Sequence, residues 1–275
     1  MKHKLRKRLA WHTRRITSPL RALPDFLIIG VMKAGTSSLF SYLSQHPNIV
    51  PSIKKEIHFF DGGNFTNQYN HEKGQLWYRS YFPLKIKKQF GYLTFEATPK
   101  YIYHLDAPER IFNLIPNAKL IAIFRNPTER AISHYFHMKR KKYESLSLMN
   151  AIELEYEKYI EPNDKNKPIT QKDFRLAYIR RGFYAQQLNR YFKFFSRENI
   201  LILDSEDLFN EPETVLKQTF RFLNLKEDVP IHNLKPLNVS KNKDKVDPAV
   251  YDFLDNLYKP HNEAFFKLVG KTYNW

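Results

Sequence analysis

The feature that most constrains the fold of this 275-residue chain is a short apolar run followed by a glycine-bounded loop and the start of a helix. The run Phe26–Ile29 has the length of a buried strand, and Thr36–Gln45 places apolar side chains at helical spacing. Between them, Gly30 and Gly35 permit tight turns and close backbone approach. A strand, a turn and a helix in this order direct backbone N–H groups towards an anion at the positive end of the helix dipole. The segment therefore predicts a phosphate-binding loop.

The side chains of this loop support the same interpretation. Lys33 supplies a mobile cation, and Thr36, Ser37 and Ser38 supply hydroxyl donors at the helix start. The order differs from the Walker A motif, G-x-x-x-x-G-K-[ST], because Lys33 precedes the second glycine and no lysine follows that glycine. On spacing alone, a helix cap beside a surface lysine remains the alternative.

Further short apolar runs alternate with helical patterns along the chain. We expect strands at Asn48–Val50, Tyr92–Phe95, Leu120–Phe124 and Ile200–Leu203. We expect helices from Pro127 onwards and over Phe183–Phe195, Glu211–Leu223, Val246–Lys259 and His261–Leu268. Continuous apolar strands that alternate with helices predict an α/β fold, with a P-loop-like central parallel β-sheet flanked by helices on both faces. We expect residues 1–23 to form a basic tail and residues 24–275 a single domain.

Charge and cysteine content limit the functional classes. The formal net charge is +17, but residues 1–21 carry eight basic side chains and no acidic one. The excess is therefore concentrated in a tail, which is either a solvated arm or rests on an anionic membrane surface. Cysteine is absent, which excludes disulfides, thiolate metal sites and cysteine nucleophiles. No apolar run approaches the ~18 residues of a transmembrane helix. These features predict a soluble, cytoplasmic enzyme.

Two pairs of polar residues are candidates for chemistry. Glu56 and His58 lie two residues apart, so an extended segment puts both on one face, where a carboxylate beside an imidazole can remove a hydroxyl proton. An exposed polar turn is the alternative. Arg125 ends an apolar run and can bind a phosphate through two hydrogen bonds, with Ser133 further along the following helix. A pairing of Arg125 with Glu129 or Asp25 is the alternative there.

Four stretches, taken together, resemble sulfotransferases that use 3′-phosphoadenosine 5′-phosphosulfate (PAPS). The similarity is greatest to the carbohydrate branch related to heparan sulfate sulfotransferases, and particularly to its bacterial members. Pro24–Leu39 resembles the 5′-phosphosulfate loop of that family, and Lys54–Asp61 resembles its K-E-x-H-F-F-D acceptor segment. Arg125–Tyr135 resembles the 3′-phosphate motif, and Arg181–Ala185 with Tyr273–Trp275 resemble later segments.

The resemblance implies transfer of a sulfuryl group from PAPS to a hydroxyl of a carbohydrate or glycolipid, with no metal. It implies that Glu56 is the general base, that His58 assists it, and that Lys33 stabilises the leaving group. The residues expected to bind the donor are Lys33, Ala34, Gly35, Thr36, Ser37, Ser38, Arg125, Ser133, Tyr184 and Lys241. Those expected to bind the acceptor are Lys55, Thr98 and Lys100.

The chain departs from the family pattern at two places. Ala97 stands where related glycosaminoglycan enzymes have lysine, which argues against a highly sulfated or uronate-rich acceptor. The segment Leu237–Lys243 replaces the disulfide-closed loop of animal relatives.

Two other functions stay open at this level. One is a P-loop kinase or nucleotide-binding enzyme, for which Asp204 imitates the end of a Walker B strand. The other is a non-enzymatic polyanion-binding protein, suggested by the net charge of +17. No nucleic-acid partner is expected, and peripheral membrane contact through residues 1–21 is kept open.

Overall fold

The computed structural model describes residues 2–62, 70–161, 170–237 and 246–275. Lys241 lies outside these ranges, as does most of the segment that replaces the disulfide-closed loop. The chain packs as two compact units. Unit 1 comprises Met1–Val31, Gly35–Phe124 and Arg190–Asn238, and unit 2 comprises Met32–Ala34, Arg125–Asn189 and Val239–Trp275. The expectation of a single domain after residue 23 stays a prediction.

Unit 1 contains a parallel sheet of five strands in the order β2-β3-β1-β4-β5. The strands are β1 (Phe26–Gly30), β2 (Ile49–Pro51), β3 (Leu93–Ala97), β4 (Lys119–Phe124) and β5 (Ile200–Asp204). Every pairing between them is parallel. All five residues of β1 are buried, as a continuous apolar run in the middle of such a sheet requires. The predicted central parallel sheet flanked by helices is confirmed.

The described residues form twelve α-helices, of which those at residues 36–43, 127–140, 184–192, 212–222 and 248–269 overlap the predicted ones. They are α1 (Lys2–Ile16), α2 (Thr36–Leu43), α3 (Gly74–Arg79), α4 (Ile86–Gln89), α5 (Ala107–Leu114), α6 (Pro127–Arg140), α7 (Leu148–Tyr159), α8 (Gln171–Arg175), α9 (Tyr184–Phe192), α10 (Ser205–Asn210), α11 (Pro212–Phe222) and α12 (Pro248–Val269). Local sequence signals mark the start of α6. Pro127 occupies its first turn, and the Asn126 side chain accepts hydrogen bonds from two N–H groups of that turn. None of the described helices is long and apolar enough to cross a bilayer.

The C-terminal helix differs from the prediction of two shorter helices. α12 runs without interruption through Pro260. A proline inside a helix loses one backbone hydrogen bond and crowds the preceding turn. Here Leu254, Tyr258 and Phe265 are all buried, so the apolar face continues on both sides of the proline. Packing of that continuous face in unit 2 outweighs the local cost, because most helical stability in proteins comes from tertiary packing.

The second half of the N-terminal tail packs against unit 1, of which it is a part. The ring of Trp11 lies 4.8 Å from that of Tyr81. The Arg14 guanidinium donates hydrogen bonds of 2.6 Å to the carbonyl oxygens of Ser80 and Phe82. Arg21 donates to the same Phe82 carbonyl at 2.9 Å. These contacts hold α1 along the segment that follows α3, so this half of the tail is not a free arm.

Gly30 is the position in β1 at which only glycine fits. A Cβ atom there would lie 2.3 Å from Cγ2 and 2.9 Å from Cβ of Ile102, far inside normal contact. Ile102 cannot withdraw, because its N–H donates to the carbonyl of Ile29 at 3.0 Å. The close approach of these two segments therefore depends on the missing side chain.

We predict that Gly30→Ala lowers the free energy of unfolding by about 1–3 kcal/mol, the usual cost of overpacking. Denaturant titration measures it. Gly91→Asn is the matched control, because a Cβ at Gly91 meets no atom within 4 Å and asparagine tolerates its φ of 74°. Equal stability of the two variants would contradict the steric argument.

Candidate active site

The β1–α2 loop begins where β1 ends and places a second essential glycine at the start of α2. Gly35 has a φ of 97°, and a Cβ there would lie 2.9 Å from the Phe209 ring. Thr36 is buried, and the hydroxyl oxygen of Ser38 accepts a hydrogen bond of 2.8 Å from the N–H of Leu237. The first turn of α2 therefore has the backbone geometry of an anion-binding loop, but the Ser38 hydroxyl serves to hold the 237 segment.

Lys33 and Arg125 form a cationic cluster in unit 2. The Lys33 carbonyl oxygen accepts a hydrogen bond of 3.2 Å from the Arg125 guanidinium, and Lys33 has a left-handed φ of 72°. Burial, followed by repulsion from Arg140, Arg125 and Lys141, lowers the pKa of Lys33 to about 8. An anion bound here would relieve both the desolvation and the repulsion.

Two further contacts orient Arg125. Its guanidinium also pairs with Glu129 at 3.0 Å, which is the alternative weighed from the sequence. The Tyr184 hydroxyl donates a hydrogen bond of 2.8 Å to the Arg125 carbonyl oxygen. Tyr184 is buried, so it positions the Arg125 backbone rather than presenting its hydroxyl to solvent. Ser133 is half-buried on α6, in the same unit.

A line of alternating charges runs through the segment after β2 in unit 1. The Glu56 carboxylate pairs with Lys55 at 2.8 Å and with the Nε2 atom of His58 at 3.5 Å. The Nδ1 atom of His58 lies 2.7 Å from the Asp61 carboxylate. Asp61 is a site residue that the sequence-based roles did not include, although its spacing of three from His58 was visible.

The pKa values of this group follow from its hydrogen bonds. Burial alone raises the pKa of Glu56, but the hydrogen bond from His58 and the charge of Lys55 outweigh it and hold that pKa well below its usual range. Burial lowers the pKa of His58, yet the hydrogen bonds to Asp61 and Glu56 outweigh burial and raise it, against an opposing effect of Lys100. Glu56 is therefore ionised at neutral pH, as a general base must be.

Glu96 holds this segment in place from β3. Its fully buried carboxylate accepts hydrogen bonds from the hydroxyls of Tyr78 at 2.7 Å, Thr98 at 2.6 Å and Tyr101 at 2.8 Å. The Tyr101 oxygen in turn accepts the N–H of Phe59 at 3.0 Å. Burial raises the pKa of Glu96, while the three hydroxyls oppose that rise.

The hydrogen bond from the N–H of Phe59 to the Tyr101 hydroxyl matters because Glu56 and His58 both have left-handed φ angles, of 59° and 57°. Such angles cost free energy for residues other than glycine and persist only when surrounding contacts enforce them. The N–H of Glu56 is bound to the Ala97 carbonyl oxygen at 3.0 Å, and the hydroxyl of Tyr101 binds the next residue after His58. The end of β3 thus fixes the Glu56–His58 pair from both sides.

The predicted site residues fall into three groups. Lys55, Glu56, His58 and Lys100 lie together in unit 1, and Lys33, Arg125, Ser133 and Tyr184 lie in unit 2. Thr98 and Ser38 are fully buried with their hydroxyls engaged by protein groups. Ala34 is also buried and offers only its backbone. Sequence reasoning missed Glu96 and Tyr101 as site residues, although an acidic residue ending a predicted buried strand was a visible signal.

A parallel sheet with a lysine-bearing, glycine-bounded loop after its central strand, and a carboxylate–imidazole pair after the edge strand β2, defines a group-transfer enzyme of the P-loop-like class. The chain belongs to the sulfotransferase domain family, whose model matches residues 23–263. This confirms the resemblance seen in the sequence, and the chain is a sulfotransferase. The family assignment favours sulfuryl transfer over the kinase and polyanion-binding alternatives.

Individual relatives match over most of their length. The mouse protein named heparan sulfate glucosamine 3-O-sulfotransferase 5 is 32% identical, over 93% of this chain and 75% of that protein. The membrane-associated sulfotransferase kil1 of Dictyostelium discoideum is 26% identical, over 94% of this chain and 68% of that protein. The crystal structure of a sulfotransferase from Alicyclobacillus acidocaldarius is 26% identical with a TM-score of 0.69, and covers 92% of this chain and 98% of that one.

The expected cytoplasmic location is wrong, because kil1, one of the matching relatives, is membrane-associated by name. The expectation was drawn from the absence of cysteine and of a long apolar run. Neither feature reports a location, since a fold with a sufficient hydrophobic core needs no disulfide in any compartment.

We predict that Tyr101→Phe lowers the free energy of unfolding by about 1–3 kcal/mol, because both Glu96 and the N–H of Phe59 lose a buried partner. Turnover should fall as well, since the Glu56–His58 segment is released. Tyr191→Phe is the control: it removes a fully buried hydroxyl that has no hydrogen-bond partner in the described part of the chain, so stability should not fall. Denaturant titration and initial rates compare them. Equal effects of the two substitutions would contradict the role of Tyr101.

Proposed function

We propose that this sulfotransferase transfers a sulfuryl group from PAPS to a hydroxyl of a carbohydrate or glycolipid acceptor. The observation that carries the proposal is the pairing of two cations, in which the Arg125 guanidinium donates a hydrogen bond of 3.2 Å to the Lys33 carbonyl oxygen. Burial, followed by repulsion from Arg140, Arg125 and Lys141, lowers the pKa of the half-buried Lys33. A cluster of this kind suits a ligand with several negative charges, and PAPS carries a phosphosulfate and a second phosphate.

The residues of the chain fit such a donor. Lys33 and the N–H groups at the start of α2 would bind the 5′-phosphosulfate. Arg125 and Ser133 would bind the 3′-phosphate, with Tyr184 holding the Arg125 backbone in position. The contribution of Ser38, whose hydroxyl oxygen accepts the N–H of Leu237 at 2.8 Å, stays a prediction. The contribution of Lys241 stays a prediction, as does the expectation that no metal is required.

The chemical step needs positioning and charge stabilisation more than covalent participation by the protein. Glu56 takes the proton of the acceptor hydroxyl as that oxygen forms its bond to sulfur. The bond from sulfur to the bridging phosphate oxygen breaks, and its electron pair leaves with 3′-phosphoadenosine 5′-phosphate. The Lys33 ammonium neutralises the charge that develops on the departing oxygen. His58, held by Asp61, orients the Glu56 carboxylate.

The acceptor is proposed by class only. The mouse relative acts, by its name, on heparan sulfate. This chain has Ala97 where the related enzymes have lysine, so we propose a less highly charged carbohydrate or a glycolipid. Lys55 and Lys100, which flank the Glu56–His58 pair in unit 1, would contact it. Thr98 is excluded from direct contact because it is fully buried and donates to Glu96. We also propose peripheral membrane contact through residues 1–21.

We predict that Lys33→Ala and Glu56→Gln each reduce turnover by about 10²–10⁴-fold. Binding of 3′-phosphoadenosine 5′-phosphate, measured by calorimetry, should weaken in Lys33→Ala and stay unchanged in Glu56→Gln. The exposed residues Lys193 and Glu109 supply matched controls, Lys193→Ala and Glu109→Gln. Near wild-type turnover in either test variant, with the fold intact, would remove that residue from the chemistry.

A second prediction concerns pH. Because burial and neighbouring cations lower the pKa of Lys33 to about 8, the free enzyme loses this charge as the pH rises through that value. Affinity for 3′-phosphoadenosine 5′-phosphate should therefore be fully present below pH 8 and decline above it. Lys33→Arg should flatten the decline, since a guanidinium stays protonated. Calorimetry over a pH series tests this, and a wild-type affinity that does not change across pH 8 would refute it.

A further inference from the structure

Two segments that are distant in sequence are joined on one part of unit 1. Arg21 forms an antiparallel bridge with Leu84. The N–H of Lys85 donates to the Leu20 carbonyl oxygen at 2.8 Å, and the N–H of Ala22 donates to that of Pro83 at 2.9 Å. These bonds place the end of the tail beside the start of α4. We call the surface formed by residues 6–20 and 84–90 the N-terminal face.

Large apolar side chains are exposed along this face. They are Leu9, Ile16, Leu20, Leu84, Ile86 and Phe90, of which Phe90 is 70% exposed and Ile16 67%. Leu9 and Ile16 are seven residues apart, so they lie on one side of α1. The opposite side of α1 is the one that packs, through Trp11 and Arg14, against the segment after α3. The contacts of Trp11 and Arg14 therefore keep the side of α1 that carries Leu9 and Ile16 turned towards solvent.

The segments of the same face are rich in basic residues. Residues 6–20 and 84–90 contain eight Lys and Arg residues and not one Asp or Glu. Arg8 and Arg15 are exposed on α1, and Lys85 and Lys87 are exposed around Ile86. An acidic group does reach this region from Asp25, which pairs with Lys88 at 2.6 Å. Basic residues and exposed apolar side chains thus occur together in the segments of this face.

We propose that the N-terminal face docks onto the surface of an anionic lipid bilayer. Lysine and arginine side chains near such a surface are attracted by the headgroup charge, and exposed apolar side chains insert at the headgroup boundary. A soluble polyanion such as a sulfated glycan would account for the cations alone. It would leave Phe90, Ile86 and Leu20 in water, where they gain nothing. The interleaving of both kinds of side chain therefore selects a lipid surface over a glycan.

The test is co-sedimentation of the full chain with vesicles of phosphatidylcholine, with and without phosphatidylglycerol. We expect binding only to the vesicles that contain phosphatidylglycerol. Phe90→Ser and Lys85→Glu should each weaken that binding about tenfold. Leu105→Ser and Lys193→Glu are matched controls and should bind like the wild type, because Leu105 is 69% exposed and Lys193 is exposed, both outside this face.

Several outcomes would overturn the proposal. They are equal binding to both kinds of vesicle, equal effects of Phe90→Ser and Leu105→Ser, and retention on immobilised heparin without any vesicle binding. Vesicle binding does not require turnover, so it is independent of the proposed reaction. Phe90→Ser should also keep wild-type activity on a short water-soluble acceptor, which separates loss of docking from loss of catalysis.

Discussion

The arrangement of unit 1 depends on the hydrogen bonds at the carboxyl end of β3. Because β3 lies between β1 and β2, this end meets the chain on both sides. Towards β1, the N–H of Thr98 is bound to the Ile28 carbonyl oxygen and that of Ile102 to Ile29. Towards the segment after β2, the Ala97 carbonyl oxygen accepts the N–H of Glu56, and the Glu96 carboxylate acts through Tyr101 on Phe59. A buried carboxylate is costly unless it is fully hydrogen-bonded. Its three hydroxyl donors offset part of that cost and tie the end of β3 to Tyr78, Thr98 and Tyr101.

These hydrogen bonds explain how an unfavourable backbone conformation is kept where the chemistry is proposed. Glu56 and His58 take left-handed φ angles that their residue types disfavour. In return, the Glu56 carboxylate is held between Lys55 and His58, and it stays ionised. The cationic cluster of unit 2 is also kept in an unfavourable state, in this case one of electrostatic repulsion. Lys33 is half-buried and lies near like charges, so an anionic ligand that offsets its desolvation and this repulsion is favoured.

The net charge of +17 has two physical roles that composition cannot separate. A few cations, among them Lys33 and Arg125, are partly buried and surround the proposed donor site. A larger number cover the N-terminal face together with exposed apolar side chains. The bridge between Arg21 and Leu84 brings these two stretches of sequence together. Each stretch alone resembles an ordinary solvated basic segment, and only their juxtaposition makes a surface that suits an anionic bilayer.

The sequence by itself determined the parallel sheet, the β1–α2 loop and the family, because these follow from local patterns: short apolar runs, glycines at turns, and motifs of fixed spacing. It also indicated Lys33, Glu56, His58 and Arg125, whose motifs are contiguous. Only the tertiary structure decided the rest. α12 continues through Pro260, because the packing of a continuous apolar face outweighs the loss of one backbone hydrogen bond. The hydroxyls of Ser38 and Thr98 form hydrogen bonds with other protein groups. Glu96 and Tyr101 hold the segment that carries Glu56 and His58. These depend on contacts between residues far apart in the chain, and side-chain hydrogen bonds of that kind leave no periodic trace in a sequence.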